Sequence, residues 1–344
     1  MTLTDSLSRR QSNEGAVISV IYTSRYDTPD FATLRARFDD RVTLNNLHPS
    51  RALFKMGLHL RRAFKANEYD VVHLHSTYAG FVGRLALIGI RTKTRVFYSP
   101  HGFAFLRTNQ KPAVRRLIAL VEFLLSRTSS KLILTSESEA LAAKRTLRVS
   151  TTTVLNTGIP LEMMRKANLP SSNLAAKPLV GCVGRVSFQK APWRFAAVAR
   201  ELHETADFIW IGGGSTSDIE KWLADAPVKV TGWVDPPDLA NLIDTLDVFL
   251  FPSLWEGMAL SLIQAQGQGI PAVTTDAVGN VDSVLDGVSG FICRTEEELV
   301  ERTRLLVSEP LLREQFSKES IKWARRKLSD ENVGSDSIRI YLGS

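Results

Sequence analysis

Short apolar runs alternate with longer amphipathic stretches along this chain, and they do so in two successive series separated by a break. Such alternation marks parallel α/β units, because a strand covered on both faces is apolar throughout while its crossover helix is apolar on one stripe. The first series predicts strands at 16–22, 71–75, 95–99, 131–135 and 152–155, with helices near 50–67, 79–90, 112–127 and 138–146. The stretch ANLPSSNLAAKP then interrupts the pattern with Pro, Ser and Asn. The second series predicts strands at 179–186, 207–213, 228–234, 247–253 and 271–276, then a mostly helical stretch over 292–328. The expected organisation is an N-terminal doubly wound domain over 1–168 (residues 1–14 being a loose tail), a linker over 169–178 and a C-terminal doubly wound domain over 179–328. The last segment, 329–344, is expected to pack back on the N-terminal domain. Ligands of such sheets bind beyond the carboxyl ends of the strands, and the motifs below all sit at those ends, facing a cleft between the domains.

A length of 344 residues suits two cores better than one. No apolar run approaches the ~20 residues that cross a bilayer. The opening MTLTDSLSRRQSNEG lacks the apolar centre of a signal peptide. Cys182 and Cys293 are the only cysteines; they offer no disulfide framework and suit a reducing cytoplasm. Charge is divided sharply. Residues 1–170 carry 26 Lys and Arg against 12 Asp and Glu, and residues 171–344 carry 17 against 24. A half this basic suits an anionic partner such as a membrane surface or a lipid-linked phosphate, although for any single cation plain solvation is the better reading. No reading motif or aromatic platform accompanies these cations, so no nucleic acid is expected.

In the second half, GRVSFQKAP follows a strand directly, so Arg185 and Lys190 emerge at its end and Gly184 lets backbone approach a ligand. A guanidinium and an ammonium together suit a diphosphate. In FPSLWEGMALSLIQAQGQGIP, a strand ends near Ser253, a turn carries Glu256 and Gly257, and a helix starts near Ala259 and Leu260. The free N–H groups of that helix start form an anion site. Glu256 beside it suits sugar hydroxyls, or equally caps the helix; Gln264 projects from the same side two turns on. At IGGGS the glycines, Gly213 among them, leave room for a flat or phosphate-bearing ligand. The backbone of Trp233 and Val234 in TGWV can pair with a nucleobase edge; alone, each is an ordinary turn.

In the first half, VVHLHST sets His73 and His75 on one face of a strand, with Ser76 next. SPHGFAF puts His101 at a strand end before a glycine. His73 reads as core and His101 as the functional candidate; the set lacks further ligands at a zinc spacing, so no metal site is expected.

Taken together, DVVHLHS, YSPHGFAF, NTGIP, VGRVSFQK, WIGGGS, VTGWV and the Glu256 segment resemble, over residues ~70–328, the glycosyltransferases of GT-B architecture. The likeness is to the large retaining family four (glycosyl transferases group 1) of bacterial surface polysaccharide assembly. It implies two Rossmann-like doubly wound α/β domains facing across a cleft and transfer of a sugar from a UDP- or GDP-linked donor to a saccharide or lipid-linked saccharide. It further implies retention at the anomeric carbon and no cofactor beyond the donor as substrate; the cysteine count and the basic half, for their part, lead us to expect a cytoplasmic enzyme peripheral to the inner membrane face. Glu256 and His101 become the catalytic candidates. Arg185, Lys190, Ala259 and Leu260 hold the diphosphate, while Gly213, Trp233, Val234 and Gln264 take the nucleotide. His75 and Ser76 fall on the acceptor side.

Absence of D-x-D from the sequence fits charge stabilisation by these groups without a metal. Two departures stand out. Gln264 replaces the family's second Glu, a loss of about 1–2 kcal/mol, roughly tenfold in donor affinity. The loop after the first strand, TSRYDTP, lacks the family's glycine pair. A weak or silent nucleotide-sugar-binding relative and a sugar-nucleotide epimerase of the same fold are the alternatives. For the membrane, RALFKMGLHLRRAFKANE sets five cations beside apolar residues and suits an anionic surface, or is an ordinary domain helix.

Overall fold

The computed structural model describes residues 3–24, 28, 30–47, 52–128, 130–149, 152–165 and 177–343. Most of the expected linker, together with parts of the TSRYDTP loop and the start of the 50–67 helix, lies outside them. The chain divides into two compact units. One holds residues 1–106, 110–157 and 330–344, and the other holds 107–109 and 158–329. The division thus falls at Thr157 and Gly158 rather than at 168, because Ile159 and Met164 pack with Ile263, Ala324 and Leu328 of the second unit.

In chain order the N-terminal unit contains α1 (Leu3–Asn13), β1 (Ser19–Thr23), α2 (Phe31–Arg35), β2 (Thr43–Leu47), α3 (Ala52–Ala66), β3 (Val71–His75) and α4 (Thr77–Leu87). It continues with β4 (Arg95–Ser99), α5 (Pro112–Leu125), β5 (Ser130–Leu134), α6 (Glu137–Leu147) and β6 (Thr153–Val154). Strands β3-β4-β5-β6 pair in parallel in that order, and β1 pairs in parallel with β2 as a separate ribbon. The core beneath α3 to α6 is built from Phe64, Tyr98, Phe103, Leu134 and Leu147. Beneath it, Arg84 and Glu122 form a fully buried ion pair at 2.8 Å, with the guanidinium 3.9 Å over the Tyr98 ring.

Within residues 1–14, expected to be loose, Leu3–Asn13 form α1 instead. Its inner face is mostly polar, so no apolar period announces it. Asp330 ties Arg10 at 2.6 Å and also accepts from Ser6, and Gln11 donates to Ser337 and Tyr341. Asp330, Ser337 and Tyr341 belong to the returning C-terminal segment.

The C-terminal unit contains β7 (Leu179–Val183), α7 (Pro192–Leu202), β8 (Asp207–Ile211), α8 (Thr216–Leu223), β9 (Lys229–Val230), α9 (Pro236–Asp244) and β10 (Val248–Phe251). Then follow α10 (Leu260–Gly267), β11 (Ala272–Thr275), β12 (Gly290–Cys293), α11 (Glu296–Ser308) and α12 (Pro310–Lys327), before α13 (Val333–Leu342) rejoins the first unit. Its six strands form one parallel sheet in the order β12-β11-β10-β7-β8-β9. The direction of winding reverses between β7 and β10, which opens a crevice beyond their carboxyl ends. Both strands are almost wholly buried, with Phe249, Phe251 and Trp210 in the surrounding core.

Candidate active site

Two loops meet at that reversal. The first leaves β7 at Gly184, whose φ of +151° only glycine adopts readily, and where an added Cβ would come 3.0 Å from the Lys190 side chain. The second leaves β10 at Pro252 and carries Glu256. Lys190 Nζ donates to Glu256 Oε1 at 2.9 Å in a largely buried ion pair, and lies 4.3 Å over the Phe251 ring. Gln189, which the sequence reading passed over although it lies within SFQK, donates to both Trp255 O (2.8 Å) and Glu256 Oε2 (3.1 Å). Both carboxylate oxygens of Glu256 are thereby engaged. Glu256 is not the helix cap: Ala259 occupies the N-cap of α10 with no side-chain hydrogen bond there. Gly279, at φ +84°, lets the following loop close on this turn, since a Cβ would stand 2.5 Å from Gly257 O. Glu256 N completes the lock by donating to Val278 O at 2.9 Å.

The glycines of IGGGS serve a different end from the one expected. Instead of leaving room for a ligand, they are filled by neighbouring protein: a Cβ on Gly212 would stand 2.2 Å from Gly184 O, and one on Gly213 would stand 2.8 Å from Trp233 Nε1. They pack β8's end against the 184–186 loop, with Val186 N donating to Gly213 O at 2.8 Å and Trp210 Nε1 to Gly184 O at 2.8 Å. Trp233 stays 65% exposed, with the Arg185 guanidinium 5.7 Å from its ring. Val234 packs on the core, and Gln264 is half-buried on α10. Arg185, Gly213 and Trp233 therefore form one cluster, and Gln189, Lys190 and Glu256 form another, at the two ends of a single loop.

In the N-terminal unit, His75 and His101 come together at the ends of β3 and β4. Their Nδ1 and Nε2 atoms are 2.9 Å apart and their rings are within 6° of parallel. His73 lies beside them, its ring centroid 4.0 Å from that of His75. Its tautomer follows from its neighbours. Ser99 Oγ donates to Ile133 O at 2.6 Å, so it accepts from His73 Nε2 at 2.8 Å, and Nδ1 is left to accept from the Tyr341 hydroxyl at 2.7 Å. Burial holds His73 down to about 3 and His101 to about 4, and pushes His75 well below its usual value; neighbouring imidazoles add to this for His73 and His75. All three are neutral near pH 7.

His101 has φ +55°, and Gly102 N donates to the fully buried Glu139 at 2.7 Å. Glu139 also accepts from Thr135 N and Oγ1. Its sequence signal was Ser136-x-x-Glu139, a capping pattern at the start of α6, where Ser136 Oγ accepts from Glu139 N. Ser76, also at positive φ, is the N-cap of α4. His73, His75, Ser76 and His101 line a cavity of about 1370 Å³ bounded by β1, β3, α1, α3 and α13. Among the described residues no group of three or more His, Cys, Asp or Glu is placed to hold a metal ion.

A sheet that reverses its winding, with Lys190 ion-paired to Glu256 and an uncapped helix start beyond the strand ends, defines a doubly wound α/β protein with its candidate site at the switch point. Residues 177–309 match the family model described as glycosyl transferases group 1, and residues 2–163 match glycosyltransferase family 4. The chain belongs to the GT-B glycosyltransferases of group 1. It is 30% identical over 258 residues to the UDP-Gal:alpha-D-GlcNAc-diphosphoundecaprenol alpha-1,3-galactosyltransferase of Escherichia coli, a match covering 68% of this chain and 64% of that relative's length. Among solved structures, the fold is that of sucrose-phosphate synthase from Thermosynechococcus elongatus (TM-score 0.81, 17% identity, 98% of this chain and 91% of that one). It is also that of HepE from Anabaena in complex with UDP-glucose (TM-score 0.71, 16% identity, 95% and 100%).

Proposed function

We propose that this protein transfers a sugar from a nucleoside diphosphate donor to a lipid-linked saccharide, with retention at the anomeric carbon. The observation that carries this reading is the meeting of Lys190 and Glu256 at the switch point of one sheet, with Arg185 on the same loop as Lys190 and the uncapped start of α10 three residues beyond Glu256. As the bond from the anomeric carbon to the diphosphate oxygen breaks, the ring becomes oxocarbenium-like and negative charge gathers on the leaving group. Arg185, Lys190 and the N–H groups at Ala259 and Leu260 receive that charge, with no metal required. Lys190 has three N–H donors, so it serves the diphosphate while still bonded to Glu256. Glu256, steadied by Gln189, accepts from hydroxyls of the transferred sugar. Trp233 beside Arg185 offers a face to the base, and Gln264 donates to and accepts from ribose hydroxyls.

On the acceptor side, the neutral pair His75 and His101 suits an uncharged hydroxyl, with Ser76 beside it. A lipid-linked acceptor is supported by the name of the Escherichia coli relative and by the basic N-terminal half. Among the described residues no helix is long and apolar enough to cross a membrane, so the lipid would be met by peripheral contact at the inner face.

The test is a donor screen by mass spectrometry. Purified protein is incubated with a panel of UDP- and GDP-sugars and detergent-dispersed lipid extract, beside Glu256→Ala. The expected result is nucleoside diphosphate release and a sugar-extended lipid, both lost in the variant. Donor binding without product across the panel, or a rearranged sugar nucleotide formed without acceptor, overturns the reading.

A further inference from the structure

Helices α1 and α13, far apart in the sequence, meet beside the histidines of the N-terminal unit. Tyr341, on the last turn of α13, is buried against β3 and β4. Its ring lies 4.9 Å from that of Phe97 and 5.6 Å, edge-on, from that of His73. Arg95 Nη1 donates to Tyr341 O at 2.7 Å, which fastens the main chain of that turn to the start of β4. Helix α1 packs on α13 so closely that an added Cβ on Gly334 would stand 2.7 Å from the Arg10 side chain.

From this meeting a chain of hydrogen bonds runs inward, and each of its protons can be assigned. Gln11 Nε2 donates to the Tyr341 hydroxyl at 3.1 Å, so the single hydroxyl proton is directed at His73 Nδ1, 2.7 Å away. His73 Nε2 donates to Ser99 Oγ at 2.8 Å, and Ser99 Oγ donates to Ile133 O at 2.6 Å. The chain starts at an amide donor and ends at a carbonyl, so it offers His73 no route for proton transfer. What it fixes is the plane of the imidazole, held at both nitrogens.

If His73 served only to fill space, an apolar side chain would do as well, since a buried hydrogen-bonded pair adds little net stability over apolar groups of the same shape. Direction is what the polar set adds. The plane of His73 matters because His75 lies against it, two residues on and on the same face of β3. Their ring centroids are 4.0 Å apart. His75 in turn stacks on His101 at 5.2 Å, within 6° of parallel, with 2.9 Å between Nδ1 and Nε2. Both rings of that pair line the cavity of about 1370 Å³.

We propose that Tyr341, with Gln11 behind it, is a positioning residue for the pair His75 and His101. Its hydroxyl fixes the plane of His73, and the face of His73 sets the ring of His75 against His101. Helices α1 and α13 are thereby part of the device that presents the two imidazoles to the cavity. That the pair meets an acceptor hydroxyl rests on the proposed function; the positioning itself does not.

The experiment reads the imidazoles directly, by long-range proton–nitrogen correlation spectra of the full chain carrying heavy-nitrogen histidine. Tyr341→Phe keeps the ring and its contact with Phe97 but removes the proton aimed at His73 Nδ1. The His73 Nδ1 resonance should shift toward that of an unbonded ring nitrogen, and the resonances of His75 and His101 should move with it. Gln11→Ala should move the same resonances less. Ser337→Ala removes another bond between the two helices, Gln11 Nε2 to Ser337 Oγ at 3.0 Å, and leaves the hydroxyl in place. It should keep all three histidines at their wild-type positions even where it lowers the melting temperature. With detergent-dispersed lipid extract as acceptor, half-saturation of Tyr341→Phe should need about fivefold more extract, with the donor KM unchanged. A shift confined to His73 overturns the proposal, because His73 would then be a core residue only. So do equal shifts in Ser337→Ala, which would assign the effect to helix docking, and equal rises in the donor and acceptor requirements. If Tyr341→Phe does not fold, unmoved His75 and His101 resonances in Gln11→Ala overturn it as well. The spectra use no substrate, so a failed donor screen leaves them to decide the positioning, and a failed positioning leaves the transferase reading standing.

Discussion

In the C-terminal unit six parallel strands form one sheet whose winding reverses at β7 and β10, whereas in the N-terminal unit the strands divide between a four-stranded sheet wound in one direction and a separate ribbon. The candidate sites differ accordingly. At the C-terminal reversal, loops interlock through glycines so close that a Cβ would meet backbone at 2.2 Å (Gly212) or 2.5 Å (Gly279), and the ionised groups Lys190 and Glu256 hold each other in place. At the N-terminal strand ends the functional groups are neutral imidazoles beside a wide cavity, and the helices outside expose apolar stripes. On the proposed function, the contrast teaches that handling a charged leaving group and receiving an uncharged acceptor hydroxyl make opposite demands. The first needs fixed charge in a rigid frame, and the second needs space and uncharged hydrogen-bonding groups.

This comparison can be broken or sharpened by experiment. The largest effect should come from Glu256→Ala, which removes a group held from both sides by Lys190 and Gln189. Initial rates should fall by about 10²–10³-fold, while His101→Asn on the neutral side should cost less; equal losses would end the distinction. Rigidity is tested by glycine substitution. Gly212→Ala forces a Cβ against Gly184 O at φ +137° and should destabilise by about 3 kcal/mol, read as a lowered urea midpoint. Gly89→Ala, in open space on the N-terminal unit at φ +72°, should cost only about 1 kcal/mol.

Acid should strike the units unequally. In the unfolded chain histidine titrates near 6.5, above the depressed values of about 3 for His73 and about 4 for His101. Between those limits the unfolded state binds more protons. Their stabilising contribution is therefore complete above pH 6.5 and is lost as pH falls toward 4, by about 1.4 kcal/mol per pH unit for each histidine kept neutral. All six tryptophans lie in the C-terminal unit. Far-ultraviolet circular dichroism should thus begin to fall at a higher pH than tryptophan fluorescence changes; coincident transitions would count against the N-terminal histidines as the cause. The smallest effect is Gln264→Glu, which adds a charged acceptor toward the ribose and should lower the donor KM by up to about tenfold. An unchanged KM would remove Gln264 from the nucleotide site.

Elements buried on both sides were readable because their apolar runs leave no choice of partner. Strand 95–99 falls where expected, and 207–213 differs from β8 only at its end. Those missed were elements whose partners are polar. Helix α1 meets the returning C-terminal segment through Arg10 to Asp330 and Gln11 to Ser337, and β2, TLNNL, pairs among the described residues with β1 alone and shows little apolar signal. At the site, residue type and position after a strand singled out Arg185, Lys190, Glu256 and His101. The purpose of the IGGGS glycines could not be read, because a glycine that admits a ligand and one that admits a tryptophan look alike in a sequence.

The sequence alone determined that this chain is two α/β units with charge divided between them, since alternation of apolar runs and counts of Lys and Arg are properties of composition and order. Tertiary structure alone decided that Lys190 meets Glu256 from 66 positions away, that the Tyr341 hydroxyl donates to His73 from 268 positions away, and that three helices turn apolar stripes to one side. The physical reason is range. Burial patterns are written by near neighbours in the chain, while ion pairs, hydrogen-bond direction and shared faces depend on which distant segments the sheet order brings together.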